Sequence, residues 1–289
     1  MKSPNFSYVR PTSVAEVIEL LRQHGDDARI LAGGQTLLAT LNMRLSEPRI
    51  LIDINNIKTL AGIRVQGDRI VIGALARHRE IECCPIVAQH LPLLTQAASH
   101  IAHPAIRNRG TFGGSIAFAD PAAEWPSCAV AMDAEIVLTN GRSERKVGAS
   151  DFFIDLYETD LRSDEIISGC EFPVSMPLRR TAFLKLARRH GDYAIVGVAA
   201  SAQCSGDVLT DLRIVFFNIG NTPMRALGAE TVMNGNTPTA SLLEEARASL
   251  SEDIPPSGDL YTSPEVKMHL AGVLLGRAVT ELTKGHIHG

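Results

Sequence analysis

The residues of this 289-residue chain best suited to chemistry are glycines and hydroxyls, and they are grouped twice. In the run Ile106 to Pro126, IRNRGTFGGSIAFADPAAEWP, Gly110, Gly113 and Gly114 fall close together, with Thr111 and Ser115 beside them. Glycines at this spacing can take positive φ, or let a ligand reach the backbone where a Cβ would clash. Successive amides in such a turn form a concave nest for phosphate oxygens, and the two hydroxyls face the same small volume. A helix predicted over Ala122 to Met132, after Pro121, would bring a helix N-terminus and its dipole close to this cradle. A shorter cradle, AGGQT, stands at Ala32 to Thr36. Either turn alone could be a glycine-rich connection to a helix. Two in one chain point to a large anionic ligand.

Other chemistry is thin. The glycine pattern is not GxGxxG, and GxxxxGK[ST] does not occur, so the usual dinucleotide and triphosphate fingerprints are absent. No GxSxG elbow marks a hydrolase nucleophile, and the nine histidines form neither HExxH nor a Cys/His zinc spacing. The five cysteines, Cys83, Cys84, Cys128, Cys170 and Cys204, are odd in number and lack CxxC spacing. They read as reduced thiols, with no ligand spacing for an iron–sulfur cluster, so any such cluster belongs on another chain. The pair Cys83-Cys84 sits in a helical stretch and reads as inert and partly buried. The HIHG tail at His286 to Gly289 reads as a frayed terminus.

The elements that must position the cradles follow from periodicity. Thr12 or Ser13 caps a helix carrying Val14, Val17, Ile18 and Leu21, with Glu16 near the capping-box position. ARILA at Ala28 to Ala32 is a strand running into Gly33-Gly34; a helix over Gln35 to Leu45 and a strand over Arg49 to Ile54 complete a small α/β unit. IRVQGDRIVIG predicts a hairpin turning at Gly67-Asp68, followed by helices over Arg77 to Cys83 and Leu91 to His100. Beyond the second cradle come a hairpin turning at Asn140-Gly141 and a closing strand over Asp164 to Pro173. VSMPLRR, with Pro177, marks a linker. The last third predicts three antiparallel strands (TAFLKLARR, AIVGVAASAQ, LRIVFFNIG) and helices over Ala240 to Leu250 and Pro264 to Leu282. Val266, Leu270, Val273 and Leu274 form the packing face of the last helix, with Lys267 and Glu281 elsewhere.

At this length two or three domains are expected. A hydrophobic share of 45% with 21% charged residues is an ordinary globular balance, and a net charge of −4 gives no reason to expect nucleic acid or an anionic membrane as partner. The N-terminus lacks the apolar run of a secretory signal, and no stretch is long enough to span a bilayer, so a cytoplasmic location without a membrane span is expected.

AGGQTLL at Ala32 to Leu38, IGAL at Ile72 to Leu75, RNRGTFGGSIAFADPAAEWP at Arg107 to Pro126 and FLKLARRHGDYA at Phe183 to Ala194 together resemble the FAD-binding medium subunits of the xanthine dehydrogenase and carbon monoxide dehydrogenase family of molybdenum hydroxylases. The resemblance implies an α+β chain with a two-subdomain FAD-binding fold of the vanillyl-alcohol oxidase and para-cresol methylhydroxylase type. A C-terminal domain of a three-stranded antiparallel sheet plus helices would follow. The implied divisions are residues 1–56, 57–176 and 177–289. Ala32, Gly33, Gly34, Gln35 and Thr36 would wrap the pyrophosphate from one side, and Thr111, Gly113, Gly114 and Ser115 from the other. Leu37 and Ala117 would be further cofactor contacts. Ile101 and Ala102 would lie near the flavin or adenine, Glu124 at a ribityl or ribose hydroxyl, Ile167 against a ring, Lys185 at the pyrimidine edge of the isoalloxazine, and Tyr193 shielding the flavin. The family often has Asn or Asp where Ser115 stands, and Asp where Glu124 stands.

The implied function is electron transfer, with no catalytic or metal-binding residue on this chain. Electrons would come from a small subunit with two [2Fe–2S] clusters and, before that, from a large molybdopterin subunit, in a heterotrimer doubled into a dimer. The alternatives are a self-sufficient FAD oxidoreductase acting on a small molecule and a non-enzymatic flavin-binding regulator.

Overall fold

The computed structural model describes residues 2–174 and 179–284. The linker proline Pro177 and the HIHG tail lie outside these residues.

The chain opens with β1 (Ser7–Val9), α1 (Val14–His24), β2 (Ala28–Leu31), α2 (Leu37–Asn42) and β3 (Ile50–Asp53). β3 pairs in parallel with β1 on one side and β2 on the other, giving the order β1-β3-β2. α1 lays Val17, Ile18 and Leu21 on this sheet. The choice of cap is resolved: the Ser13 hydroxyl accepts from the Glu16 amide, while the Glu16 carboxylate reaches back to the Thr12 amide at 2.7 Å. α2 is shorter than its sequence suggests. The backbone turns left-handed at Arg44, φ 57°, before the apolar pattern runs out.

The middle of the chain contains β4 (Ile63–Gln66), β5 (Arg69–Gly73), α3 (His78–Cys83), α4 (Pro85–His90), α5 (Pro92–Ala98), α6 (Pro104–Arg107), α7 (Phe112–Phe118) and α8 (Glu124–Ala131). β6 (Glu135–Thr139), β7 (Glu144–Gly148), α9 (Ala149–Phe152), β8 (Phe153–Asp155), β9 (Glu158–Thr159) and β10 (Ile166–Pro173) complete it. The five-stranded sheet has the order β4-β5-β10-β6-β7, so the late strand β10 is inserted between two hairpins and locks both. Trp125, Phe112 and Phe172 are fully buried at the centre of the core between this sheet and its helices. The vicinal cysteines do not share one helix. α3 ends at Cys83, which is exposed, and Cys84 is the extended residue before Pro85, since a residue preceding proline is pushed out of the helical region.

The C-terminal part has four strands, one more than predicted: β11 (Arg179–Ala187), β12 (Ala194–Ser205), β13 (Val208–Phe217) and the two-residue β14 (Met224–Arg225), all antiparallel. β14 is too short to show a period in sequence. Helices α10 (Leu227–Met233), α11 (Ala240–Asp253) and α12 (Pro264–Lys284) cover one face. The packing face of α12 is rotated from the predicted one. Ala271, Leu274, Leu275, Ala278 and Leu282 are buried, whereas Val266 is exposed. Lys267, placed off the face by sequence, is buried because its ammonium donates to the Asn218 carbonyl at 2.9 Å and pairs with Asp259 at 3.1 Å. Sutures such as Ser201 Oγ to the Ala131 carbonyl at 2.8 Å fasten this sheet to α8.

Candidate functional site

The two glycine cradles face each other across one cleft of about 760 Å³, within the usual size of a ligand site. Strand β2 delivers the chain to Gly33 and Gly34, and the bridge between Arg77 and Thr111 delivers the second cradle opposite it. Gly34 adopts φ 72°, the left-handed turn that an L side chain resists. Gly33 is required by contact: a β-carbon there would lie 2.6 Å from the Arg109 carbonyl oxygen and 2.8 Å from Cα of Gly110. The first cradle therefore rests directly on the second.

The second cradle is the first turn of a helix. Thr111 caps α7, with its hydroxyl accepting from the Gly114 amide, so α7 brings a helix N-terminus of its own to the cleft beside that of the predicted α8, whose first residues Ala123 and Glu124 also line it. Neither Gly113 nor Gly114 has positive φ. Gly113 is small because Ala74 packs against it; a β-carbon would lie 2.5 Å from the Ala74 methyl. Most amides here are already engaged: Phe112 N–H donates to the Ala76 carbonyl, Gly113 N–H to the Ala74 carbonyl and Ser115 N–H to the Thr111 carbonyl. The first cradle is the reverse. Among the described residues the amides of Gly33, Gly34, Gln35 and Thr36 have no acceptor, and Thr36 does not cap α2 with its side chain. Unpartnered amides at the start of a helix are anion donors, so the shorter motif holds the readier nest.

Of the sequence-derived site residues, Ala32, Gly33, Gly34, Gln35, Thr36, Leu37, Ala102, Thr111, Gly113, Gly114, Ser115, Ala117, Glu124, Ile167, Lys185 and Tyr193 all line this cleft. Ile101 does not. Its side chain is buried in the core, its N–H donates to the Ala98 carbonyl and its carbonyl accepts from Arg107 at 3.0 Å; the neighbouring Ala102, φ 42°, is the residue turned to the cleft.

Glu124 and Lys185 are brought together. The Lys185 ammonium, on β11, donates to Glu124 Oε1 at 2.7 Å and to the His100 carbonyl at 3.0 Å, so the pair joins the C-terminal sheet to the start of α8. Both side chains are nearly buried. Burial pushes the Glu124 carboxyl above its ordinary range, and Lys185 opposes that push. Tyr193 stands at the mouth, its phenol raised by burial and by neighbouring acidic groups, near the exposed ring pair Phe118 and Tyr157.

Sequence reading missed His78 and Asp120, which also line the cleft. His78 Nδ1 accepts from the Trp125 indole at 2.9 Å, which fixes the proton of the neutral ring on Nε2. Burial, with Arg77 and Arg107 adding to it, lowers its pKa to about 4. Asp120 has a carboxyl raised by burial, opposed by the Ala122 amide. A lone histidine or aspartate carries no spacing signal, although His78 follows IGAL closely and Asp120 lies inside the long glycine motif.

A family model described as the FAD binding domain in molybdopterin dehydrogenase matches residues 4–175, and one described as the CO dehydrogenase flavoprotein C-terminal domain matches residues 181–282. The carbon monoxide dehydrogenase medium chain of Hydrogenophaga pseudoflava is 37% identical over 279 residues, 96% of this chain and 97% of that one. The nicotine 6-hydroxylase medium subunit of Paenarthrobacter nicotinovorans is 35% identical over 281 residues, 97% of this chain and 98% of its own. A solved structure of the H. pseudoflava carbon monoxide dehydrogenase lacking the Mo-pyranopterin moiety superposes with a TM-score of 0.95, covering 98% of each chain.

Proposed function

This chain belongs to the family of FAD-binding subunits of the molybdopterin dehydrogenases, and from that premise we propose that it is the electron-transfer flavoprotein subunit of a molybdenum hydroxylase complex. Organic substrate is oxidised at a molybdenum centre on a large partner subunit, with water as the oxygen source. Electrons reach this chain from the [2Fe–2S] clusters of a small subunit and leave to an external acceptor. The relatives named above are subunits matched along nearly their whole length, which favours this reading over a self-sufficient oxidoreductase.

The residues present fit FAD. Four unpartnered amides at Gly33 to Thr36, facing the N-terminus of α7, match a pyrophosphate without needing a lysine, and this arrangement carries the proposal. Bound FAD would supply a carrier that takes electrons singly or in pairs. The chain's own residues do the rest. The Ser115 and Thr36 hydroxyls add donors at the nest, and Glu124 orients Lys185, whose ammonium can stabilise negative charge developing nearby. His78 presents an N–H from a neutral ring at the floor, and Tyr193 screens the mouth from water. The divisions at residues 1–56, 57–176 and 177–289, the assembly as a dimer of heterotrimers and a cytoplasmic location belong to the same proposal. Among the described residues no helix is long and apolar enough to cross a membrane.

No His or Cys lies within either cradle, and FAD is held noncovalently in this reading. Acid precipitation of the purified chain should move all its yellow colour to the supernatant, at one FAD per chain. Colour held in the pellet, or a chain that takes up no FAD, overturns the proposal.

A further inference from the structure

A polar chain of hydrogen bonds runs behind the two cradles, and none of the motifs above predicts it. Its centre is Asn55, two residues past the end of β3. The Asn55 amide nitrogen donates to the Ala32 carbonyl at 2.8 Å, at the root of the first cradle. Its amide oxygen accepts from Arg77 Nη2 at 2.6 Å. The other terminal nitrogen of Arg77, Nη1, donates to the Arg109 carbonyl, at the root of the second cradle. Asp53 holds Asn55 from behind, accepting from its backbone amide at 2.9 Å and from its side chain at 2.6 Å, and Asp53 is itself held by the Tyr8 hydroxyl.

Each side chain in this relay is chemically constrained. A guanidinium only donates and a backbone carbonyl only accepts, so the group between Arg77 and Ala32 must do both. Asparagine does so with its two ends, and only one orientation of the amide serves. The planar fork of Arg77 then reaches two acceptors at once, which a lysine ammonium on a flexible stem cannot match. Arg77 is also fixed at its backbone, where its N–H donates to the Glu80 carboxylate at 2.7 Å as the cap of α3.

We propose that Arg77 and Asn55 form a clamp that sets the separation of the two cradles and so presets the cleft for its diphosphate ligand. The contact of Gly33 with Arg109 and Gly110 limits how closely the cradles approach; the clamp supplies the attraction that holds them there. Arg77 and Asn55 are positioning residues, since they act through the Ala32 and Arg109 carbonyls. A cleft that fluctuates open has its ligand affinity scaled down to the fraction of time it is competent. The inference rests on the FAD reading, and wild-type binding tests that reading separately.

The test is FAD titration of the apo chain, followed by flavin fluorescence, for wild type, Arg77→Lys, Asn55→Ala and the double variant, with circular dichroism and thermal melts of each apo form. Losing charge-assisted bonds of this kind should weaken FAD binding about tenfold or more in each single variant. The double variant should be no weaker than the worse single, because both break one relay. Arg77→Lys keeps the charge, so wild-type affinity in that variant overturns the clamp and leaves only an electrostatic role. Additive losses, or apo melting temperatures that fall while FAD affinity holds, also overturn it. Asn55→Ala leaves the α3 cap intact and carries the test if an Arg77 variant does not fold. Failure of the wild-type chain to bind FAD would instead sink the reading on which the clamp depends.

Discussion

Adding one methyl group at Gly33 discriminates between two ways of explaining the cradles. If glycine is needed so that a phosphate can approach, Gly33→Ala and Gly114→Ala should hurt alike. The structure predicts otherwise. At Gly33 the new carbon meets three backbone atoms, the Arg109 carbonyl oxygen at 2.6 Å, Gly110 Cα at 2.8 Å and Thr111 N at 3.0 Å, none of which can rotate away. The first cradle must back off by roughly 0.7 Å to restore ordinary contact, an overpacking worth about 2 kcal/mol. If that strain falls on the clamped, ligand-ready arrangement, the dissociation constant for FAD rises about thirtyfold. At Gly114 the only near neighbour is the Thr111 hydroxyl at 2.7 Å, with the next atoms at 4.0 Å. That hydroxyl can turn aside at the loss of a helix cap, about 1 kcal/mol, chiefly from stability. Flavin titration and thermal melts of both alanine variants read the two effects apart. Equal affinities for the two variants, or a weaker Gly114→Ala, would refute the reasoning.

Other outcomes follow from the buried groups. Lys185→Met should lower the flavin midpoint potential, Glu124→Gln should raise it, and the double variant should lie between, as potentiometric titration of the loaded forms would show; an unchanged potential in both single variants removes the pair from the flavin's surroundings. For His78 the folded pKa, about 4, lies below the ordinary 6.5, so the unfolded chain binds the extra proton first. Its contribution to stability is therefore full above pH 6.5 and is lost as pH falls toward 4, amounting to about 3 kcal/mol. His78→Gln, whose amide oxygen still accepts from Trp125, should flatten the denaturant-measured stability across that window; an unaltered slope would show that the ring does not titrate as its burial implies.

What the sequence made legible was what repeats locally. Alternation and helical spacing located α1, β2, both hairpins and β10, and the glycine-hydroxyl runs located both walls of the cleft. Contacts between distant segments were out of reach. The role of Gly33 depends on Arg109, and the pairing of Glu124 with Lys185 crosses 61 positions, so neither leaves a local pattern. The helical nature of the second cradle was hidden because three nearby glycines argue against a helix until tertiary packing against Ala74 is known. On α12 the buried Lys267 rotated the packing face, since a lysine stem can be buried once its ammonium finds a carbonyl and a carboxylate.

The central claim, that electrons arrive on this chain from an iron–sulfur partner and not from an organic substrate, is tested most directly by anaerobic stopped-flow mixing of the FAD-loaded chain with the small subunit of its own complex, reduced beforehand and freed of excess reductant. The flavin absorbance should bleach on mixing with the reduced subunit, and should stay unchanged when the chain alone meets the substrate that reduces the whole complex. A flavin that stays oxidised against the reduced subunit, or that the substrate bleaches without any partner, would contradict the account.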